Sequence, residues 1–118
     1  MTIIICLIDD DSINLSSLQM LVEELGYSVC IFNSADAFFR YTAKENINAC
    51  ITDCFLGEAN GIDVISYLSR AHPQIASVLM SATLTQEIRT EAYKCGATSV
   101  VSKPVPVEFL SKFLDDLR

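Results

Sequence analysis

Residues 3–32 read IIICLIDDDSINLSSLQMLVEELGYSVCIF, and this stretch decides the architecture. Its opening run, Ile3 to Ile8, is apolar without interruption, which suits a strand covered on both faces, as in a parallel sheet. Three aspartates, Asp9 to Asp11, end the run. Leu15, Leu18, Val22 and Leu25 then recur at helical spacing along one face, and Gly26 is the residue type that most easily closes a helix. Ser28 to Phe32 is a second β-branched, apolar run. Strand, helix and strand in direct succession predict a right-handed crossover between parallel strands.

The rest of the chain repeats this unit. Ala49 to Thr52, Ser77 to Met80 and Ser99 to Val101 read as further strands. Ser34 is placed to cap the second helix, and Ile62, Ile65 and Leu68 give the third an apolar stripe. Gly96 closes the fourth, and Val107, Leu110, Leu114 and Leu117 form the stripe of the last. The βα unit thus occurs five times, which predicts an α/β fold with helices on both sides of a five-stranded parallel sheet. No linker, repeat or low-complexity tract interrupts the 118 residues, so residues 1–118 are expected to form a single domain closed by the final helix.

Composition narrows the function classes. Fifteen Asp and Glu against eight Lys and Arg give a formal charge of -7. Direct nucleic-acid binding needs a basic footprint, so it is not expected, whereas cations and basic partner surfaces are favoured. No apolar run approaches the roughly 18 residues that span a membrane. Residues 1 to 8 lack the basic start and small-residue cleavage site of a signal peptide. The five cysteines, Cys6, Cys30, Cys50, Cys54 and Cys95, form no CxxC pair and no even set, and are expected to be reduced core residues of a cytoplasmic protein.

The chemistry is expected at the carboxyl ends of the strands. Asp9 and Asp10 follow the first strand, Asp53 ends the third, Ser81 follows the fourth and Lys103 follows the fifth. Each has an ordinary explanation when taken singly: Asp10 or Asp11 as a helix cap, Asp53 as the start of a turn toward Gly57, Ser81 as a cap, and Lys103 as a solvated loop residue. Together they would meet on one edge of the sheet. Two like charges about 4 Å apart repel by roughly 4 kcal/mol at an effective dielectric near 20, so such a cluster requires a compensating cation. Oxygen-only ligands favour a hard ion, and Mg²⁺ fits better than zinc. A carboxylate can attack phosphorus while metal, ammonium and hydroxyl stabilise the charge on the phosphoryl oxygens. Asp53, central in the sheet, is the expected nucleophile.

The segments ICLIDDD, ITDCFLGEANGIDVI, VLMSAT and CGATSVVSKPV, in this order and spacing, resemble the receiver domains of two-component response regulators over nearly the whole chain. The resemblance implies a doubly wound, flavodoxin-like sheet of strand order 2-1-3-4-5 with five helices. It implies Asp53 as the phosphorylation site, Ser81 and Lys103 as its partners, and Mg²⁺ held by Asp9, Asp10, Asp53 and the backbone carbonyl of Phe55. It further implies a sensor histidine kinase or histidine phosphotransfer protein as donor, a cis Lys103–Pro104 bond, and a homodimer or partner surface on the last two helices. Such a domain is not an enzyme beyond catalysing its own phosphorylation and dephosphorylation. Two departures stand out. Gly57 occupies a position where many relatives carry proline, which predicts a looser loop, and Val100 replaces the usual aromatic switch residue.

Two other readings of the residues remain open at this point. One is a pseudo-receiver, a binding module that keeps the fold without the phosphoryl cycle. The other is a small α/β enzyme with an aspartyl nucleophile or a nucleotide site, although no glycine-rich phosphate loop is present. His72, which precedes Pro73 and has no Cys or His at ligand spacing, is expected to be a loop residue. Cys54 should point away from Asp53 by strand alternation, and Glu58 and Asp63 should be surface charges. Phe109 and Phe113 are open between core packing and an exposed patch.

Overall fold

Five of the apolar runs pair into one parallel sheet in the computed structural model, which describes residues 2–118. Met1, included in the expected domain, lies outside the described residues. The strands are β1 (Ile4–Ile8), β2 (Ser28–Phe32), β3 (Ala49–Asp53), β4 (Ala76–Ser81) and β5 (Ser99–Ser102), in the spatial order β2-β1-β3-β4-β5. The helices are α1 (Ser12–Glu24), α2 (Ala35–Arg40), α3 (Gly61–Ala71), α4 (Gln86–Lys94) and α5 (Val107–Asp115). The strand order reverses at β1, so a crevice opens beyond the carboxyl ends of β1 and β3.

Alternation along each strand sorts the side chains between two faces. Ile5 and Leu7 of β1, Ala49 and Ile51 of β3, and Val78 and Met80 of β4 face α1 and α5, where they meet Leu15, Leu18, Val22, Leu110, Phe113 and Leu114. The alternate residues Cys6, Ile8 and Cys50 face α2 and α3, against Phe38, Val64 and Leu68. Leu79 and Val100 pack with Ile65 and Ala92 under α3 and α4. Phe38 is fully buried, and truncating such a ring costs about 3–5 kcal/mol.

Helix ends follow their local chemistry. The Asp11 carboxylate accepts from the Ile13 and Asn14 N–H groups at 3.0 and 3.1 Å, so the third aspartate of the run caps α1. Ser34, Asn60 and Thr85 cap α2, α3 and α4. Gly26 and Gly96 leave their helices at φ 99° and 108°, values that residues with a Cβ rarely adopt.

The structure differs from the expectations at several places. β2 lies at the sheet edge, where the expected strand order puts it, but Ile31 on it is exposed, so this apolar run is not covered on both faces. Val107 is exposed as well, because it opens α5 before the helix reaches the core. Phe113 is buried while Phe109 is half-buried and stacked on it at 5.9 Å, so packing accounts for the pair. In place of a loose loop after β3, residues 55–56 and 59–60 form a short antiparallel hairpin, turned by Gly57 at φ 68°, a conformation closed to proline. Lys44 drew no expectation from the sequence: it is buried, and its ammonium donates to the carbonyls of Phe39, at 2.8 Å, and Tyr41 at the end of α2. It also lies 5.3 and 5.8 Å from the ring centroids of Phe38 and Tyr67.

Candidate functional site

The last residues of β1, β3, β4 and β5 bring the chemistry together. The register pairs Ile8 with Thr52, Asp53 with Met80, and Ser81 with Ser102, so the residues that follow or end these strands arrive at one level. Asp9 and Asp53 are only 1% and 7% exposed, whereas Asp10 beside them is open to solvent. One oxygen of each of these three carboxylates lies within 4.8 Å of the other two. The Lys103 ammonium donates to Asp9 Oδ2 at 2.8 Å and to Asp53 Oδ1 at 3.3 Å, bridging the two buried acids.

Backbone bonds hold these groups in place. The other oxygen of Asp9, Oδ1, accepts from the Asp11 N–H at 2.9 Å, which fixes the carboxylate plane. The Lys103 N–H donates to the Ser81 carbonyl at 2.9 Å, tying the loop after β5 to the end of β4. Ser81 is fully buried, and its Oγ accepts from the Thr83 N–H at 3.2 Å. The Lys103–Pro104 bond is cis. Phe55, two residues past Asp53, begins the hairpin with its side chain exposed.

Three carboxylates against one ammonium leave an excess of negative charge. Burial pushes the Asp53 carboxyl up from its ordinary value; Lys103 opposes this, and Asp9 and Asp10 add to it. Burial pulls the Lys103 ammonium down, but its hydrogen bond to Asp9 and the charges of Asp53 and Asp9 outweigh burial and hold it above the usual lysine value. The donor set is all oxygen, which suits a hard divalent cation. Ligand oxygens at 2.0–2.1 Å from Mg²⁺ stand up to about 4.2 Å apart, so small side-chain adjustments bring the three carboxylates into range.

All five expected side chains therefore lie at one end of the sheet, and four of them, Asp9, Asp10, Asp53 and Lys103, form one cluster. The other candidates stay apart from it. His72 ends α3 and lies 3.5 Å from the Tyr67 hydroxyl, Cys54 is buried beside Ile65 and Leu79, and Glu58 and Asp63 are exposed. Sequence reasoning missed Gly61 and Thr52. A Cβ on Gly61 would overlap the Asp53 carbonyl oxygen and stand 3.1 Å from Thr52 Oγ1, which itself donates to that carbonyl at 3.0 Å. A glycine at the first position of a helix, directly after its Asn cap, is the signal that marks such a close approach.

Residues 5–115 match the response regulator receiver domain family. The alginate biosynthesis transcriptional regulatory protein AlgB of Pseudomonas syringae pv. tomato is 31% identical over 85% of this chain, which spans 22% of that protein's length. A CheY-like response regulator receiver domain protein from Methanospirillum hungatei superimposes with a TM-score of 0.88 at 25% identity, covering 99% of this chain and 94% of that one. A response regulator from Burkholderia pseudomallei, solved with a phosphorylated aspartic acid and a calcium ion, shares the fold at a TM-score of 0.85 and 21% identity, over 97% of this chain and 71% of that one. Fold, strand-end cluster and family match agree: the chain belongs to the response regulator receiver domain family of two-component systems.

Proposed function

We propose that Asp53 is a phosphoacceptor that takes its phosphoryl group from a phosphohistidine on a sensor histidine kinase or histidine phosphotransfer protein. The observation that carries this reading is the Lys103 ammonium lying between the buried carboxylates of Asp9 and Asp53, in a pocket that still has excess negative charge. An Asp53 oxygen attacks phosphorus, the P–N bond to the donor imidazole breaks, and the imidazole leaves with the bond's electron pair and takes up a proton. Lys103 then turns from Asp53 to a phosphoryl oxygen, and the Ser81 hydroxyl donates to another. Mg²⁺, held by Asp9, Asp10, Asp53 and the Phe55 carbonyl, would neutralise charge on the transferring group. The phosphorylated aspartate of the Burkholderia relative fits this assignment.

In this proposal residues 1–118 act as one receiver unit in the cytoplasm. The face of α4, β5 and α5, where Tyr93 and Val107 stand exposed, presents the signal to a partner or to a second copy. Among the described residues no helix is long and apolar enough to cross a membrane.

The test is incubation with acetyl phosphate with and without Mg²⁺, followed by intact mass measurement. One added phosphoryl group that appears only with Mg²⁺ supports the reading. No adduct, or one indifferent to chelator, contradicts it. Mg²⁺ at a hundredfold over its dissociation constant should also stabilise the fold by about 2.7 kcal/mol, an effect that Asp10→Ala diminishes.

A further inference from the structure

Cys6 on β1 is the register partner of both Cys30 on β2 and Cys50 on β3. Residues at one level on neighbouring parallel strands project from the same face, so the three thiols form a row on the α2 and α3 side with Cys6 in the middle. Cys6 and Cys50 are fully buried, whereas Cys30, on the edge strand, is partly buried. Burial, and after it the two neighbouring thiols, push the Cys6 thiol up from its ordinary value. Beside the row is the buried ammonium of Lys44, which burial pulls below the usual lysine value and which Cys6 partly restores. Among the described residues Lys44 forms no ion pair: its hydrogen bonds go to two carbonyls, and Glu45 acts on it from an exposed position. A buried cation beside three thiols, with no buried anion, is a charge arrangement that the phosphoacceptor site does not explain.

Two in-register cysteines on parallel strands are poorly placed for a disulfide, because strands lie about 4.8 Å apart and the bond wants Cβ atoms roughly 3.5–4.5 Å apart. The same spacing suits an ion held between two sulfurs. A metal–thiolate bond is about 2.3 Å, so sulfurs opposed across one ion stand about 4.6 Å apart. Tetrahedral zinc is a poor match, since Cys30 and Cys50 flank Cys6 on opposite sides and no fourth ligand is at hand. A soft monovalent ion accepts two thiolates in line.

We propose that Cys30 and Cys6 bind one soft monovalent metal ion, of the Cu(I) class, as a linear bis-thiolate across the seam between β1 and β2. Binding joins the ion to two sulfurs and releases both thiol protons, so the complex carries one negative charge and no electron is transferred. Lys44 supplies the matching positive charge within the core. Cys30 is the point of entry: it is the least buried of the three thiols, and its neighbour Cys6 holds it below the usual thiol value. Cys6 is held high by burial and gives up its proton to the incoming ion.

The test is an anaerobic titration of the reduced chain with Cu(I) presented by a chromogenic chelator, in excess Mg²⁺ so that the acidic pocket is occupied. The parent should withdraw one equivalent, with a thiolate-to-copper charge-transfer band in the ultraviolet and two Cu–S bonds by X-ray absorption. Cys30→Ser and Cys6→Ala should lose this uptake, and Cys54→Ser and Cys95→Ser should match the parent. Lys44→Met, which removes no ligand, should weaken binding by about tenfold. Should Cys6→Ala misfold, Cys30→Ser still decides, because Cys30 is the least buried of the three and a melting temperature verifies the fold. Parent affinity in Cys30→Ser, or loss of uptake in Cys95→Ser, would overturn the proposal.

Discussion

Gly61 lies with its Cα against the carbonyl of Asp53, leaving no room for a side chain, and its N–H donates to the neighbouring Cys54 carbonyl at 2.7 Å. The start of α3 is thereby packed directly onto the backbone of the proposed phosphoacceptor. The atom in the way of a Cβ is main chain, so no rotamer change relieves the overlap. Gly61→Ala should therefore destabilise the protein by about 1–3 kcal/mol, the usual cost of overpacking, and slow phosphorylation by displacing Asp53. Urea unfolding and adduct formation with acetyl phosphate check both effects, and a variant equal to the parent in both would refute the contact.

Lys103 shares one ammonium between Asp9 and Asp53. Removing it in Lys103→Met leaves two buried carboxylates repelling each other, with Asp10 near. In chelator the variant should unfold at lower urea than the parent. Mg²⁺ should restore more stability to it than to the parent, since the ion takes over the compensation and no longer competes with the lysine. An equal Mg²⁺ response in the two proteins would show that the lysine does not offset the acids.

The raised Asp53 carboxyl has a defined sign for stability. The folded state holds the proton more tightly than the unfolded chain does, so ionising Asp53 costs stability. That cost is absent below the ordinary aspartate value of about 3.9 and complete once the pH passes the raised folded value. In chelator, Asp53→Asn should thus be more stable than the parent at neutral pH, with the advantage shrinking as pH falls through that window. Lys103, held above the usual lysine value, stays charged throughout. Paired urea melts between acid and neutral pH measure the difference, and a difference that does not vary with pH would contradict this origin of the shift.

The five strands, the order of the helices and the strand-end residues were legible because burial on both faces leaves uninterrupted apolar runs, and because each candidate site residue follows or ends such a run. Features that depend on tertiary partners were not. The hairpin at residues 55–60 has only two residues per strand, too few for a period. Ile31 belongs to an apolar run, but its exposure depends on β2 being the edge strand. Nothing local marks Lys44 as buried, because the end of α2 and two aromatic rings that close over it are tertiary partners. Gly61 is called for by the carbonyl of a residue eight positions earlier, a contact that no local pattern encodes.

Val100 is buried among Leu79, Ile65 and Ala92 and offers no ring to swing, and its branched Cβ restricts it to few rotamers. Ser81, by contrast, is tied through its Oγ to the loop before α4. Drawing the Ser81 hydroxyl toward a phosphoryl group breaks its bond to the Thr83 N–H and frees that loop. Amide exchange with and without a phosphoryl mimic should change most over residues 82–92 and little over residues 98–101. The reverse pattern would place the switch in β5.

The identity of the phosphorylated residue tests the account most directly. After treatment with acetyl phosphate and Mg²⁺, peptide mapping should place a single phosphoryl group on Asp53, and Asp53→Asn, with its fold verified by the urea melt, should acquire none. A phosphoryl group mapped to any other residue, or an Asp53→Asn variant modified as readily as the parent, would contradict the assignment.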